Sequence, residues 1–195
     1  MPDSLPVLFF GDFLTASVAT IALNPSDQEY TTPDGRLLVG AGQRFATLSS
    51  LVAERRDALT DAQCAEAINW MREYFGDAKP IYGWFAHLER FLEGVGFSYR
   101  NGSAVHLDLV QEATAPVWSG LQDDDKSVLL DLDLPFLDEQ IRLSHFDAIF
   151  CNGRTVSDNL CARLGVVIRR RGELRRLRWW TGEATVGGET KVLAG

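Results

Sequence analysis

VATIALNPSDQEY, residues 18–30, decides how the rest of the chain is read. Val18 to Leu23 is a continuous, mostly apolar run, the pattern of a strand covered on both faces. It runs straight into Asn24-Pro25-Ser26. A residue before proline is held away from the helical region, and Pro25 brings no N–H to compete for hydrogen bonds. A small amide therefore leaves the strand end in a fixed direction. It can orient a water or hold a ligand group, but it cannot take up a proton as a carboxylate does. The plainer alternative is an Asn-Pro turn that only terminates the strand.

Working outward, the chain alternates strands and helices. Residues 27–42 read as loop, with Pro33-Asp34-Gly35 a turn signal. Phe45, Leu48, Leu51 and Val52 recur at helical spacing. Thr60 with Gln63 forms a capping-box pattern that opens a second helix, whose apolar face is Cys64, Ala67, Ile68, Met71 and Phe75. A third helix is predicted from Tyr82 to Val95, with Phe85, Leu88, Phe91 and Leu92 inward and Gly96 as its cap. Ala104 to Asp108 is the second strand. Asp123 to Ser144 is expected as two helical pieces broken at Pro135. Phe146 to Cys151 is the third strand, ending on Asn152-Gly153-Arg154-Thr155, and a short helix capped by Gly165 follows. Val166 to Trp180 reads as a hairpin or arm turning near Gly172, and Lys191 to Ala194 as a last strand. No repeat or linker divides the chain, so residues 1–195 are expected as one domain. The pattern predicts an α/β fold: a three-layer α/β/α sandwich around a mostly parallel sheet of about four strands.

The chain has 195 residues, 46% of them hydrophobic, enough for a real core. The N-terminus has no basic region before its apolar run, and no run approaches the length of a bilayer span. A cytoplasmic protein without membrane contact is the expectation. Cys64, Cys151 and Cys161 form no CxxC pair and cannot supply four metal ligands, so core thiols and no metal are expected. Net charge is −8, which argues against a nucleic-acid partner, yet RRRGELRRLR at 169–178 concentrates six arginines. That segment is either a basic contact face or a solvated hairpin paired with surface carboxylates.

Ligands of parallel sheets bind at the carboxyl ends of the strands, which selects three places. The first is Asn24. The second is Asp108, which shares a face with His106 in HLDLV and must have a partner or face a cleft, because an unpaired buried carboxylate is costly. The third is Asn152-Gly153-Arg154-Thr155, whose backbone N–H groups at a helix start suit an anion. A salt bridge, a structural histidine and a tight strand-to-helix turn are the plainer readings. No serine elbow, P-loop or dinucleotide fingerprint is present.

VATIALNPS followed by QRFATL at 43–48, with AVHLDLVQEAT at 104–114 and DAIFCNGRTV at 147–156, resembles the uracil-DNA glycosylase superfamily. The resemblance is greatest to its mismatch-specific uracil and thymine branch. Ala22 stands where that family's first motif usually has glycine. The resemblance implies a monofunctional, metal- and cofactor-free enzyme of DNA repair that hydrolyses the N-glycosidic bond of a base flipped out of single- or double-stranded DNA, acting as a monomer. Carried over by position, Asn24 orients the attacking water. Leu23, Pro25 and Asp108 line the base pocket, and either Tyr30 or Phe45 stacks on the base. Ser26, Arg44, Asn152, Gly153, Arg154 and Thr155 contact DNA. The family's base-reading residue is typically asparagine. Asp108 accepts hydrogen bonds only, which favours an amino-bearing base such as a modified cytosine. The family's final wedge loop is expected after the last strand, where KVLAG ends the chain. The sequence is thus expected either to be truncated there or to lack the loop. Two other readings stand beside this one: a catalytically silent nucleic-acid or nucleotide binder, and a hydrolase of small nucleosides or nucleotides.

Overall fold

The computed structural model describes residues 1, 3–76, 81, 83–175 and 177–195. Among them the sheet has six strands, not about four. They are β1 (Val18–Ala22), β2 (Ala104–Asp108), β3 (Ala148–Cys151), β4 (Val167–Leu174), β5 (Leu177–Val186) and β6 (Glu189–Ala194). Their spatial order is β2-β1-β3-β6-β5-β4. The first four in that order pair in parallel, and β5 and β4 add on antiparallel. The sequence pattern kept the 166–180 hairpin apart from the sheet, whereas the basic arm does not stop at Trp180. Thr181 to Val186 continues it and pairs with β6 across a turn in which Gly187 and Gly188 both have positive φ, 62° and 86°. Glycine adopts that conformation without the Cβ penalty and so closes a two-residue hairpin.

Among the described residues four α-helices cover the sheet: α1 (Asp61–Arg72), α2 (Phe85–Gly94), α3 (Asp123–Leu143) and α4 (Arg154–Leu164). The period-2 alternation of the strands sorts the core. Ala19, Ile21, Leu107 and Ile149 pack with Leu134, Leu137 and Ile141 of α3 and with Val156 and Leu160 of α4. Val18 and Ala104 pack with Met71 of α1 and with Phe85 and Leu92 of α2. Every residue of β1 is buried, as the apolar run predicted, and so is every residue of β2. Each such aliphatic side chain contributes about 1.5–3 kcal/mol.

Three elements differ from the sequence reading. No helix forms over residues 43–52. Thr47 N–H donates to Ser50 Oγ (2.8 Å) and Ser50 N–H donates to Thr47 Oγ1 (3.2 Å), so hydroxyls pre-empt the helical bonds. Val52 then turns the chain at φ 53°. Helix α3 is continuous through Pro135. Leu134 and Leu137 on either side are buried while Pro135 is exposed, so the carbonyl that loses its partner faces water. The arm turns after Leu174, not at Gly172. Gly172 is instead where the Trp179 indole lies against the β4 backbone: a Cβ there would sit 2.7 Å from the ring. Tyr82, the predicted start of the third helix, lies outside the described residues.

Candidate functional site

The carboxyl ends of β1, β2 and β3 converge on a cleft of about 460 Å³. Strand pairing places Ala22 opposite Asp108 and Ile21 opposite Cys151, so Asn24, Asp108 and Asn152 emerge at one sheet edge. Leu23, Asn24, Pro25, Ser26, Asp108 and Asn152 all line the cleft.

The loop after β1 is laced to the chain after β2. Leu109 N–H donates to Ala22 O (3.0 Å) and Val110 N–H to Leu23 O (2.9 Å), and Ser26 bridges in parallel to Thr114. Within this lattice Asn24 Nδ2 donates to Pro25 O (3.0 Å), Glu112 O (3.2 Å) and Thr114 Oγ1 (3.1 Å). Its donors are spent on main-chain and hydroxyl oxygens. Oδ1 accepts no hydrogen bond among the described residues and is left to receive one from a water or ligand. This also accounts for an amide at this position: an aspartate would meet two carbonyl oxygens with no proton to offer.

Asp108 is 2% exposed, and its Oδ1 has no hydrogen-bond partner among the described residues. His106 Nε2 is 3.5 Å away, close enough for attraction if the ring is charged but not a hydrogen bond. His106 Nδ1 lies 2.6 Å from Thr20 Oγ1, which lies 2.6 Å from the Tyr99 hydroxyl. The proton order that satisfies this chain runs from Tyr99 O–H to Thr20, and from Thr20 O–H to Nδ1. That leaves Nε2–H facing Asp108, a tautomer assigned from the network. A buried carboxylate oxygen without a donor is costly and marks a position where a ligand donor fits.

Glu29, five residues beyond Asn24, is a second buried carboxylate of the cleft, 3% exposed. Tyr74 donates its hydroxyl to Oε2 (2.7 Å), and Arg44 Nη1 lies 3.4 Å from the same oxygen. Burial pushes the Glu29 carboxyl above its ordinary range, only partly opposed by Tyr74 and Arg44, with the Asp108 charge adding to the rise.

The aromatic wall is not the one expected. Tyr30 and Phe45 are 2% and 1% exposed in the core, and Tyr30 donates its hydroxyl to Leu5 O (2.7 Å). Neither lines the cleft. Phe10, Trp84 and Phe85 do. Phe10 is brought there by a bridge to His106, and its ring packs edge-on against Phe45 at 5.2 Å, one layer behind. Trp84 is half-exposed and packs edge-on against His106 at 5.2 Å, so it is the ring most open to a flat ligand.

The remaining expected contacts are scattered. Arg44 is drawn to Glu29. Ser26 Oγ accepts from Gln28 N–H (3.2 Å) and donates to Asp27 Oδ1 (3.1 Å), capping a short turn. Gly153, Arg154 and Thr155 are exposed at the start of α4 and do not line the cleft, and Arg154 lies 3.6 Å from Asp158. Gly153 has φ 98°, which explains the glycine. Among the described residues no group of three or more His, Cys, Asp or Glu is placed to hold a metal ion. None of the described helices is long and apolar enough to cross a membrane.

Glu29 and Trp84 carried no sequence signal. Glu29 lies in an irregular turn, where no periodicity marks a buried position, and Trp84 immediately precedes a helix whose apolar face begins at Phe85. Compared with protein-family models and with curated proteins, the chain matches none.

Proposed function

We propose that the chain is a monofunctional DNA glycosylase on a three-layer α/β/α scaffold. In this reading it removes a damaged, mismatched or modified base by hydrolysis of the N-glycosidic bond. The observation that carries this is the meeting of Asn24, Asp108 and Asn152 at three parallel strand ends around one aromatic-walled cleft. Its volume, about 460 Å³, is within the range of small-ligand sites.

The flipped base stacks on Trp84, the most exposed of the lining rings, and its exocyclic amine donates to Asp108 Oδ1. Asn24 Oδ1 accepts a hydrogen bond from water and turns the water's lone pair toward the anomeric carbon. The carbon–nitrogen bond breaks, its electron pair leaving with the base. The water oxygen bonds to the sugar, and its proton passes to a cleft carboxylate or to solvent. Positive charge that develops on the sugar is stabilised by Asp108 and Glu29 in a site of low dielectric. Asn24 supplies orientation rather than base strength, so the reaction is expected to be slow and to depend on the leaving ability of the base.

A base panel in oligonucleotides, read out as alkali-labile abasic sites, tests the assignment. Excision is expected on amino-bearing bases in preference to uracil, and Asp108→Asn should shift that preference toward uracil. Efficient action on uracil that Asp108→Asn leaves unchanged contradicts it. The two carboxylates also favour a second reading, a hydrolase of small nucleosides, because they disfavour nearby phosphates. Hydrolysis of free nucleosides without any binding of DNA in a gel shift would select it.

A further inference from the structure

The arginine-rich arm is distinct from the cleft. Strand β4 is the sheet's edge, and nearly all of its residues are exposed. Arg169 pairs with Glu183 (2.9 Å). Arg170, Arg171, Arg175 and Arg178 have no carboxylate partner among the described residues, although the chain as a whole carries a net charge of −8. A merely solvated hairpin on an acidic protein would pair its arginines with the carboxylates at hand. These are concentrated on one edge instead, a footprint suited to polyanions.

Aromatic surface lies between this arm and the cleft. Trp179 is 42% exposed, with its ring laid over Gly172, and Phe91 of α2 is 45% exposed, edge-on to Phe150 at 5.0 Å. Between them runs a groove of about 300 Å³, and Asn152 lines both this groove and the cleft. Trp179 and Trp180 in turn line a second groove, of about 440 Å³, shared with Arg171 and Arg178. Cleft and aromatic groove share Asn152, and the two grooves share Trp179 and Trp180, with Arg170 on the Trp179 face of the β4–β5 ribbon and Arg171 and Arg178 on its Trp180 face, beside Glu173.

We propose that this path is a track for single-stranded DNA flanking the base held in the cleft. Bases stack on Trp179 and Phe91, and phosphates are held by Arg170 on the same face and by Arg171 and Arg178 where the strand passes over the β4 edge. Unstacked bases with free π-faces exist only in a single strand, and alternating aromatic and basic surface is what binds them without regard to sequence. A second copy of the chain is disfavoured at this edge, because antiparallel pairing of β4 with itself brings arginines against arginines. The proposal deepens the glycosylase reading but is read out without catalysis.

The test is fluorescence anisotropy of the full chain with a labelled oligo-dT strand and with a duplex, across a salt series. The single strand is expected to bind more tightly than the duplex. Trp179→Ala should weaken it about 5- to 150-fold, the value of one base stack, and Trp179→Phe should restore most of the loss. Arg170→Ala/Arg171→Ala/Arg178→Ala should make the log–log salt slope shallower by about 2, at roughly 0.7 per phosphate. All these side chains are on the surface, and an unchanged melting temperature shows that the variants fold. Binding and salt slope that the triple variant leaves unchanged overturn the proposal, as does duplex binding equal to single-strand binding. Dimerisation through this edge with no oligonucleotide bound also overturns it, in favour of a protein interface. If the strand binds as expected but no base is excised, the track stands and the glycosylase reading fails. Excision with no contribution from the arm gives the reverse.

Discussion

At the scale of single residues, the Asn24 amide does two jobs with two ends. Nδ2 pins the loop to the chain after β2, and Oδ1 is left for a water. Asn24→Asp is therefore expected to lose both stability and activity, although a carboxylate is the stronger base. The new oxygen would face the Pro25 and Glu112 carbonyls, at a cost of about 1–3 kcal/mol. Chemical denaturation and the excision assay check the two halves, and a faster, equally stable variant contradicts the geometry. Glu29 gives a pH signature. Because burial raises its folded-state pKa, protonation favours the folded chain. Below the ordinary glutamate pKa both states hold the proton and the charge costs nothing. As pH rises from there toward the raised value, wild type loses stability that Glu29→Gln, still an acceptor for Tyr74, does not. The melting temperature of the variant minus that of wild type should grow over that window and then level off. A difference flat in pH would show that the carboxylate is not perturbed. Asn24 and Asp108 were legible in sequence because a polar residue at the end of an apolar run stands out. Glu29 and Trp84 were not, since irregular loops bury residues through long-range packing that no local pattern encodes.

At the scale of elements, what was legible follows from periodicity and capping. β1, β2, α1 with its Thr60–Gln63 capping box, and α4 with its Gly165 cap form where the sequence placed them. Misreadings came where two local rules competed. Helical spacing over 45–52 lost to hydroxyl-to-backbone bonds at Thr47 and Ser50. The rule that proline breaks helices lost at Pro135 because the surrounding leucines anchor α3 while the ring points to water. That compromise still costs one hydrogen bond. Pro135→Ala is thus expected to stabilise the protein by about 1–3 kcal/mol, up to the full difference in helix propensity between the two residues, as measured by chemical denaturation. A destabilised variant would mean that the proline ring supports the packing of α3.

At the scale of the whole molecule, the parallel strands β2-β1-β3-β6 place three unrelated loops at one edge, and the antiparallel pair β5-β4 carries a basic edge away from an acidic body. The alternation of elements predicted the parallel half. The antiparallel extension was hidden because Thr181 to Val186 is short and only its pairing with β6 makes it a strand. The activity proposed for the carboxyl ends of β1, β2 and β3 is cleavage of a glycosidic bond, with Asn24 holding the water. The most direct measurement is release of base, with formation of an alkali-labile abasic site, from oligonucleotides carrying single modified bases, for wild type and Asn24→Ala side by side. Wild type is expected to excise, and Asn24→Ala to lose about 10²-fold or more, the effect of misplacing a reacting group, with the fold intact by circular dichroism. Equal excision by the two proteins, or none by wild type on any base while DNA binds, would contradict it.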